Sequence, residues 1–526
     1  MHLRTCKALV GASVLLFLGA TGCTDLTVEP KSTVTEANVF NDVASYRAFI
    51  ARVYSGLAIS GQQGPNGRPD LDPSFDEGFS QYVRLYWSAQ ELTSDEAVIA
   101  WNDIGLPELN TQTWSSQNGF VAELYYRIFF QIGMANEFLR QTTDEKLASR
   151  GQTSAAIKAE VATYRAEARF LRALSYWHAM DFFGSTPLVT DADALGATPP
   201  QQATRQQIYD YVVSELTAIQ GDLPADGQAN YGRATRSAAN MLLANVYLNA
   251  KVYTGTAHYT EALNSASAVI AAQYSLDPSY RHLFLADNNT SPEIIFAVPQ
   301  DGLKTQTWGG VTFLIHASCG GSMNNALYGI DGCWWGLRLK QQAYNLFGPG
   351  DSRAASFYTT GQSVNVTDIS NFNTGIAAPK FQNVTSTGAA GSHPTFADTD
   401  FPMFRLADAY LIYAEAVLRG GGGNAGQALT YVNALRQRAF GNTSGNINAG
   451  QLTLDFILAE RGRELLWEGH RRTDLVRFGL FTGGTYLWAW KGGVQAGTAT
   501  DAHLDLYPLP ANELIANPNL HQNPGY

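Results

Sequence analysis

The chain has 526 residues, enough for several domains, and its 45% apolar content with 10 Trp, 25 Tyr and 26 Phe leaves no shortage of side chains to bury. Charged residues make up only 15%, and the formal net charge of −11 becomes −13 once the two cations Arg4 and Lys7 leave with residues 1–22. With no long basic run, that balance argues against nucleic acid as the main partner, because phosphate binding needs clustered Lys and Arg.

Residues 1–22 read as an export signal in three parts. Arg4 and Lys7 supply the positive start, and Ala8–Ala20 supplies an apolar core too short to span a bilayer comfortably. Ala20-Thr21-Gly22-Cys23 then resembles the lipobox of bacterial lipoproteins, in which Cys23 becomes the acylated first residue. Ala20 departs from that pattern, where Leu is commonest, and an ordinary secretory signal with a chance cysteine is the alternative. No other stretch is long and apolar enough to cross a membrane, so the expectation is a chain anchored through Cys23 and not spanning. One acyl chain would hold it weakly, and lipoproteins of this class carry more than one. Residues 23–35 read as a polar, Pro-containing tether.

Residues 36–526 read as a single domain. A helical frame is expected over 36–290 and 404–480, a loop-rich insertion over 291–403, and a C-terminal loop and extended tail over 481–526. Helical spacing is plain in Asn41–Leu57, Phe79–Leu92, Phe120–Arg140 and Ala155–Phe183, the last stopped by Gly184 and Pro187. Thr204–Gln220 follows. Ser237–Lys251 and Ala257–Gln273 then form one helix pair, and Leu406–Arg419 and Ala425–Ala439 another, turned by Gly420–Gly423. Small residues such as Ala244 and Ala414 let paired helices approach, and the repeated unit looks like a tetratricopeptide repeat.

Ala459–Gly479, AERGRELLWEGHRRTDLVRFG, is the most charge-dense stretch. On one helix, Glu460, Glu464 and Glu468 would stack at i, i+4 and i+8, with Gly469 as the stop. Such acids repel by a few tenths of a kcal/mol per pair. The spacing therefore predicts an ion-pair hub of Glu460, Arg461, Glu464, Glu468, Arg471, Arg472, Asp474 and Arg477, where several helices meet. A catalytic use of Glu464 or Glu468 with His470 is the rival, disfavoured because surplus arginine lowers carboxylate pKa values.

Cys319 and Cys333 lie in a glycine-rich segment, and outside the cytoplasm they are expected to form a disulfide; two buried thiols are the alternative. Gly302–Gly336 holds Trp308, Trp334 and Trp335 with Tyr328 and Asp331, a loop of flat apolar faces and polar groups suited to sugar rings. After the Phe79–Leu92 helix, Ser94–Asn102 holds Asp95, Glu96, Trp101 and Asn102, with Asp95 and Glu96 expected to cap or bridge. For Trp334 or Trp335, anchoring the loop to the frame is the alternative role. No metal-ligand spacing, phosphate loop or nucleophile elbow appears, and no cofactor is expected; Asp70, Asp72 and Asp76 lack a calcium-loop pattern.

Across nearly the whole chain the sequence resembles the SusD/RagB family of outer-membrane nutrient-binding lipoproteins. The segments that carry the likeness are YRAEARFLRALSYWHAMDFFGSTPLV, RATRSAANMLLANVYL, SPEIIFAVP, FRLADAYLIYAEAVLRGGG, ALTYVNALRQRA, ILAERGRELLWEGHRRTDLVRFG and LYPLPANELIANPNLHQNPGY, in that order. The resemblance implies a mostly α fold of tetratricopeptide-like helix pairs (SusD-like) with a loop-rich ligand face and short strands. It implies a cell-surface lid over a SusC-like TonB-dependent outer-membrane transporter, capturing oligosaccharides or, in a RagB-like branch, peptides, with ligand contacts after a Ser-Asp-Glu turn, the region of Trp101 and Asn102. A glycoside hydrolase built on Asp331 and Asp351, and a purely structural partner protein, are the rival classes.

Overall fold

The computed structural model describes residues 40 and 42–526, apart from 73, 195 and 197. The export signal, Cys23 and the tether lie outside the described residues. Residues 46–526 form one compact unit.

Helices supply its frame. Helix α1 (Val43–Ala58) buries Tyr46, Ile50, Val53 and Leu57, a stripe at helical spacing. After a loop, α2 (Tyr82–Trp87) opens on the side chain of Gln81 and runs into a π-helical turn, Ser88–Leu92. Helices α3 (Gly119–Gln141) and α4 (Ala155–Phe183) start on the caps Asn118 and Ser154, each accepting a backbone N–H of its first turn. A reciprocal capping box, Thr204 with Gln207, opens α5 (Arg205–Ala218). Next come α6 (Arg236–Leu248) and α7 (Tyr259–Ile270). The α4 helix packs on both α3 and α5, and α6 packs on α7.

Beyond the insertion, α9 (Leu406–Leu418) packs on α7 and on α10 (Ala425–Phe440), while α8 (Gly310–Ala317) belongs to the insertion itself. The turn between α9 and α10 requires glycine: Gly420, Gly422 and Gly423 all have positive φ, and a Cβ on Gly423 would sit 2.5 Å from Leu263. The small strands tie the insertion to this frame. Strand β1 (Ala97–Ile99) pairs antiparallel with β3 (Leu337–Leu339), and β2 (Ile294–Val298) with β4 (Phe401–Arg405).

Three expectations change. Gly302–Gly336 is not loop throughout, because the apolar run of α8 is buried along its whole length. The tail is not wholly extended, since Ala511–Ala516 makes a short helix after Pro510. The helix expected through Glu468 stops early: α11 (Leu454–Glu464) ends, the chain turns through Trp467 (φ +61°) and Gly469 (φ +82°), and α12 (Arg471–Arg477) begins. The turn is fixed from outside. Glu96 accepts from Trp467 N at 2.9 Å, Glu91 accepts from Gly469 N at 2.7 Å, and a Cβ at 469 would lie 2.3 Å from the Tyr86 ring.

From these three segments the charged side chains converge in the interior. Fully buried Glu464 meets Arg405 at 2.7 Å, Arg353 at 2.9 Å and also Arg438. Glu460 meets Arg353 and Arg436, each at 2.8 Å, and Arg463 at 2.7 Å. From the turn, Glu468 reaches Arg405 at 2.6 Å and Lys380 at 2.7 Å. Arg461 bridges Asp408 and Asp474, and Arg477 bridges Glu415 and Asp474, every contact at 2.7 Å. Arg471 holds Asp95 through two hydrogen bonds of 2.7 and 2.8 Å, and Arg472 meets Asp181 at 3.3 Å. Burial by itself raises a carboxyl pKa, but Arg353, Arg463 and Arg436 outweigh it and hold Glu460 at about 2. Glu464 and Asp474 are held well below the usual carboxylate range in the same way. His470 is pushed down, chiefly by burial. Carboxylates so strongly stabilised in the charged form make poor proton donors near neutral pH.

Candidate ligand-binding site

Strand pairing assembles the aromatic residues. The Ser94–Glu96 turn is buried, with Asp95 held by Arg471 and by the Tyr486 hydroxyl at 2.6 Å, so its acids serve the frame. From there β1 runs alongside β3, and the pairing continues one residue further, where Ala100 N donates to Gly336 O at 3.0 Å. That register delivers Trp101 beside Trp334, and the Trp101 indole Nε1 donates to Trp334 O at 3.0 Å. Residue 336 is tightly packed: a Cβ there would come 3.0 Å from the Trp101 ring and 3.2 Å from the Ala317 methyl.

The C-terminal end of α8 fixes the other side. Its unsatisfied carbonyls and those just beyond it take up the Trp segment: Trp334 N donates to His316 O, Trp335 N to Cys319 O and Gly336 N to Ala317 O, at 2.9, 2.9 and 2.8 Å. Cys319 and Cys333 are bonded, with Cα atoms 4.7 Å apart, closing the loop immediately before Trp334.

Trp334 is the centre of a trio. Its ring lies 6.3 Å from Trp101 and 6.0 Å from Trp308, and stacks on His316 at 4.4 Å with 22° between planes. Trp308 is steadied by Phe396 at 5.0 Å and by donation from its indole nitrogen to Pro65 O at 3.1 Å. All three indoles are partly exposed. The His316 ring nitrogens sit 2.7 and 2.8 Å from the carbonyls of Gly332 and Thr395; burial pulls its pKa down while those carbonyls oppose the shift.

Arg84 is the member that sequence reasoning missed. Its guanidinium lies 4.0 Å over both Phe79 and Phe313 and 5.5 Å from Trp101, and it donates to Trp308 O at 3.4 Å. It is only 5% exposed, and among the described residues no ion pair neutralises it. Burial draws its pKa down to about 9, against the pull of Asp76, Asp103 and Glu77. The signal available in the sequence was only a lone Arg among aromatic residues, three positions from Gln81 and Trp87. With exposed Asn102 and Asp103 on the neighbouring loop, the trio offers flat apolar faces bordered by donors and acceptors.

The remaining candidates lie apart from the trio. Trp335 has φ +55°, which turns it away from its neighbour to pack 5.8 Å from Phe372, 49% exposed. Asp331 is exposed and accepts from the Thr395 hydroxyl at 2.5 Å. Tyr328 lines a separate cleft of about 430 Å³ to which none of the three tryptophans contributes. Asp351, the second acid of the hydrolase reading, is buried against Arg353 at 2.7 Å. Among the described residues no three His, Cys, Asp or Glu side chains are grouped to hold a metal ion.

Two family models match the chain: one described as SusD family, over residues 356–526, and one described as "Starch-binding associating with outer membrane", over 79–248. The chain is 34% identical to the starch-binding protein SusD of Bacteroides thetaiotaomicron over the full length of both, and 25% identical to SusD-like protein P2 of Formosa agariphila over 98% of each. Its fold matches the crystal structure of a SusD homolog from B. thetaiotaomicron with a TM-score of 0.73 at 18% identity, over 94% of this chain and 100% of the other. It also matches surface glycan-binding protein A of B. thetaiotaomicron, solved in complex with laminarihexaose, with a TM-score of 0.70 at 21% identity over 91% and 99%. The helical frame, the paired strands and a full-length relative at this identity lead to one assignment: the chain belongs to the SusD family.

Proposed function

We propose that this protein is a non-catalytic glycan-capture lipoprotein, anchored through Cys23 at the outer face of the outer membrane, that passes oligosaccharides to a SusC-like TonB-dependent transporter. The observation that carries the reading is the trio of Trp101, Trp308 and Trp334, partly exposed and pre-arranged around one ring beside a guanidinium with no ion pair among the described residues. A pyranose presents C–H groups on its faces and hydroxyls around its rim. The indoles would take the faces, and Arg84, Asn102 and Asp103 the hydroxyls. The starch-binding and glycan-binding relatives support the ligand class, and the family description that mentions the outer membrane supports the location. Burial of Asp351 in an ion pair disfavours a two-carboxylate hydrolase.

Calorimetry of the full chain against a panel of neutral polysaccharides and peptides tests this, with Trp101→Ala as the control variant. Glycan binding that drops in the variant, with no new reducing ends over a day, is the expected result. Reducing ends released by the protein alone would overturn the non-catalytic reading. Peptide binding without any glycan response would replace it with the RagB-like alternative.

A further inference from the structure

On the far part of the disulfide-closed loop, away from the trio, the cleft of about 430 Å³ lies within the size range of small-molecule sites, roughly 300–1,000 Å³. It opens between the Asn325–Tyr328 turn, the Ser352–Ser356 turn and the Tyr280–Phe284 turn. Its composition restricts what it can hold. The cations at its floor are spent: Arg353 is paired with Asp351, Glu460 and Glu464, and Lys380 donates to Glu468 at 2.7 Å and to Leu466 O at 2.5 Å. Arg281 is the exception: exposed on the lining, it donates to Gln382 at 2.9 Å and makes no ion pair among the described residues.

The rest of what faces the opening is apolar surface with neutral polar groups around it. Phe357 forms a wall, Phe284 (1% exposed) lies behind the lining with Lys380 3.9 Å over its ring, and Leu327 stands 65% exposed at the mouth, an uncovered large apolar side chain. The phenols of Tyr328 and Tyr358 border it; Tyr358 shares a 2.7 Å hydrogen bond with Ser322, and no hydrogen bond occupies the Tyr328 hydroxyl among the described residues. Gln382 adds an amide, steadied by Arg281 at 2.9 Å.

We infer that this cleft is a second carbohydrate subsite, taking a neutral pyranose segment through aromatic faces and the Tyr328 and Tyr358 hydroxyls, independently of the tryptophan trio. The inference leans on the glycan-capture reading for its ligand class, but occupancy of the two places can be read separately.

Hydrogen exchange on the full chain provides that reading, with maltoheptaose, laminarihexaose, cellohexaose and xylohexaose as probes. At least one probe is expected to slow exchange in 327–330 and 352–358. Ala355 is exposed on the cleft wall, so Ala355→Trp fills the space from the surface without cutting into the core. That variant is expected to remove the protection at the cleft, weaken binding there by about tenfold, and leave protection at 99–103 and 334–336 intact. Trp101→Ala is expected to do the reverse. Protection at the trio with none at the cleft, or cleft protection that survives Ala355→Trp, overturns the inference and leaves the trio reading standing. Protection at the cleft alone supports the inference while sinking the trio, and no protection anywhere overturns both.

Discussion

Replacing Glu460 with glutamine keeps the shape of the buried hub and removes one charge. The carboxylate of Glu460 faces three guanidinium groups, Arg353 and Arg436 at 2.8 Å and Arg463 at 2.7 Å, with no exposed surface of its own. Its pKa falls from 4.5 to about 2, because the three arginines outweigh the cost of burial. At about 1.4 kcal/mol per tenfold change in proton affinity, that depression corresponds to about 3 kcal/mol of folding stability near neutral pH. Breaking a buried ion pair from one side costs about 3–5 kcal/mol in other proteins, which brackets the same figure. The sign is fixed by the direction of the shift. A depressed carboxyl contributes fully above its unfolded value and loses that contribution as pH falls toward its folded value, so at pH 3 less than half of it remains. Urea unfolding of both proteins at pH 7 and pH 3 should therefore show the penalty of Glu460→Gln shrinking by about 2 kcal/mol on acidification. An equal penalty at both pH values, or one below about 1 kcal/mol at pH 7, would refute the claim that these arginines hold the carboxylate charged.

Three further outcomes follow from the ligand face. Gly329 has φ +71° and a Cβ there would sit 2.0 Å from Asn383 O, so Gly329→Ala should cost about 1–3 kcal/mol in thermal unfolding and raise protease cleavage within 319–333. The double change Cys319→Ser, Cys333→Ser opens a loop with a separation of 14 residues. It should destabilise by roughly 3 kcal/mol in chemical denaturation and weaken glycan binding more than Gly329→Ala does. Arg84→Gln removes a buried cation that has no ion-pair partner among the described residues, so the melting temperature should move little while glycan affinity measured by calorimetry drops about 10- to 100-fold. A large loss of stability without a loss of affinity would mean that Arg84 serves only the aromatic packing.

The frame was legible because its signals are local. The apolar spacing of α4 and the glycine turn after α9 each act over a few residues. The acids of the hub were legible too, as carboxylates with too many arginines close by. Their partners were not: Arg353, Arg405 and Arg438 come from the insertion, from β4 and from α10, and spacing along one segment carries no information about them. Glu468 was misplaced on a helix because the turn that removes it is held by Glu91 and Glu96, more than 370 residues earlier. At the ligand face, the tryptophans stood out by type, but their grouping depends on a strand register and on one backbone angle. Adjacent Trp334 and Trp335 diverge because residue 335 adopts a left-handed conformation that no composition rule anticipates.

Rigidity and recognition are connected here by the size of the energies involved. Stacking one aromatic ring on a partner gains about 0.5–1.5 kcal/mol beyond area burial. Immobilising a free side chain on binding costs about the same, 0.5–1.5 kcal/mol. Three mobile tryptophans would therefore return almost nothing to a ligand that had to order them. In this protein the ordering is already done: the Trp101 and Trp308 indole nitrogens are bonded to Trp334 O and Pro65 O, Trp334 is stacked on His316, and the backbone of 334–336 is bonded to the end of α8. Asp95, just ahead of strand β1 and the chain that leads on to Trp101, is held in turn by buried Arg471, a pair separate from the ion pairs of Glu460. Of the interior ion pairs, Arg471–Asp95 is thus the one that steadies the approach to Trp101, so that the proposed ligand face is ordered before anything binds it.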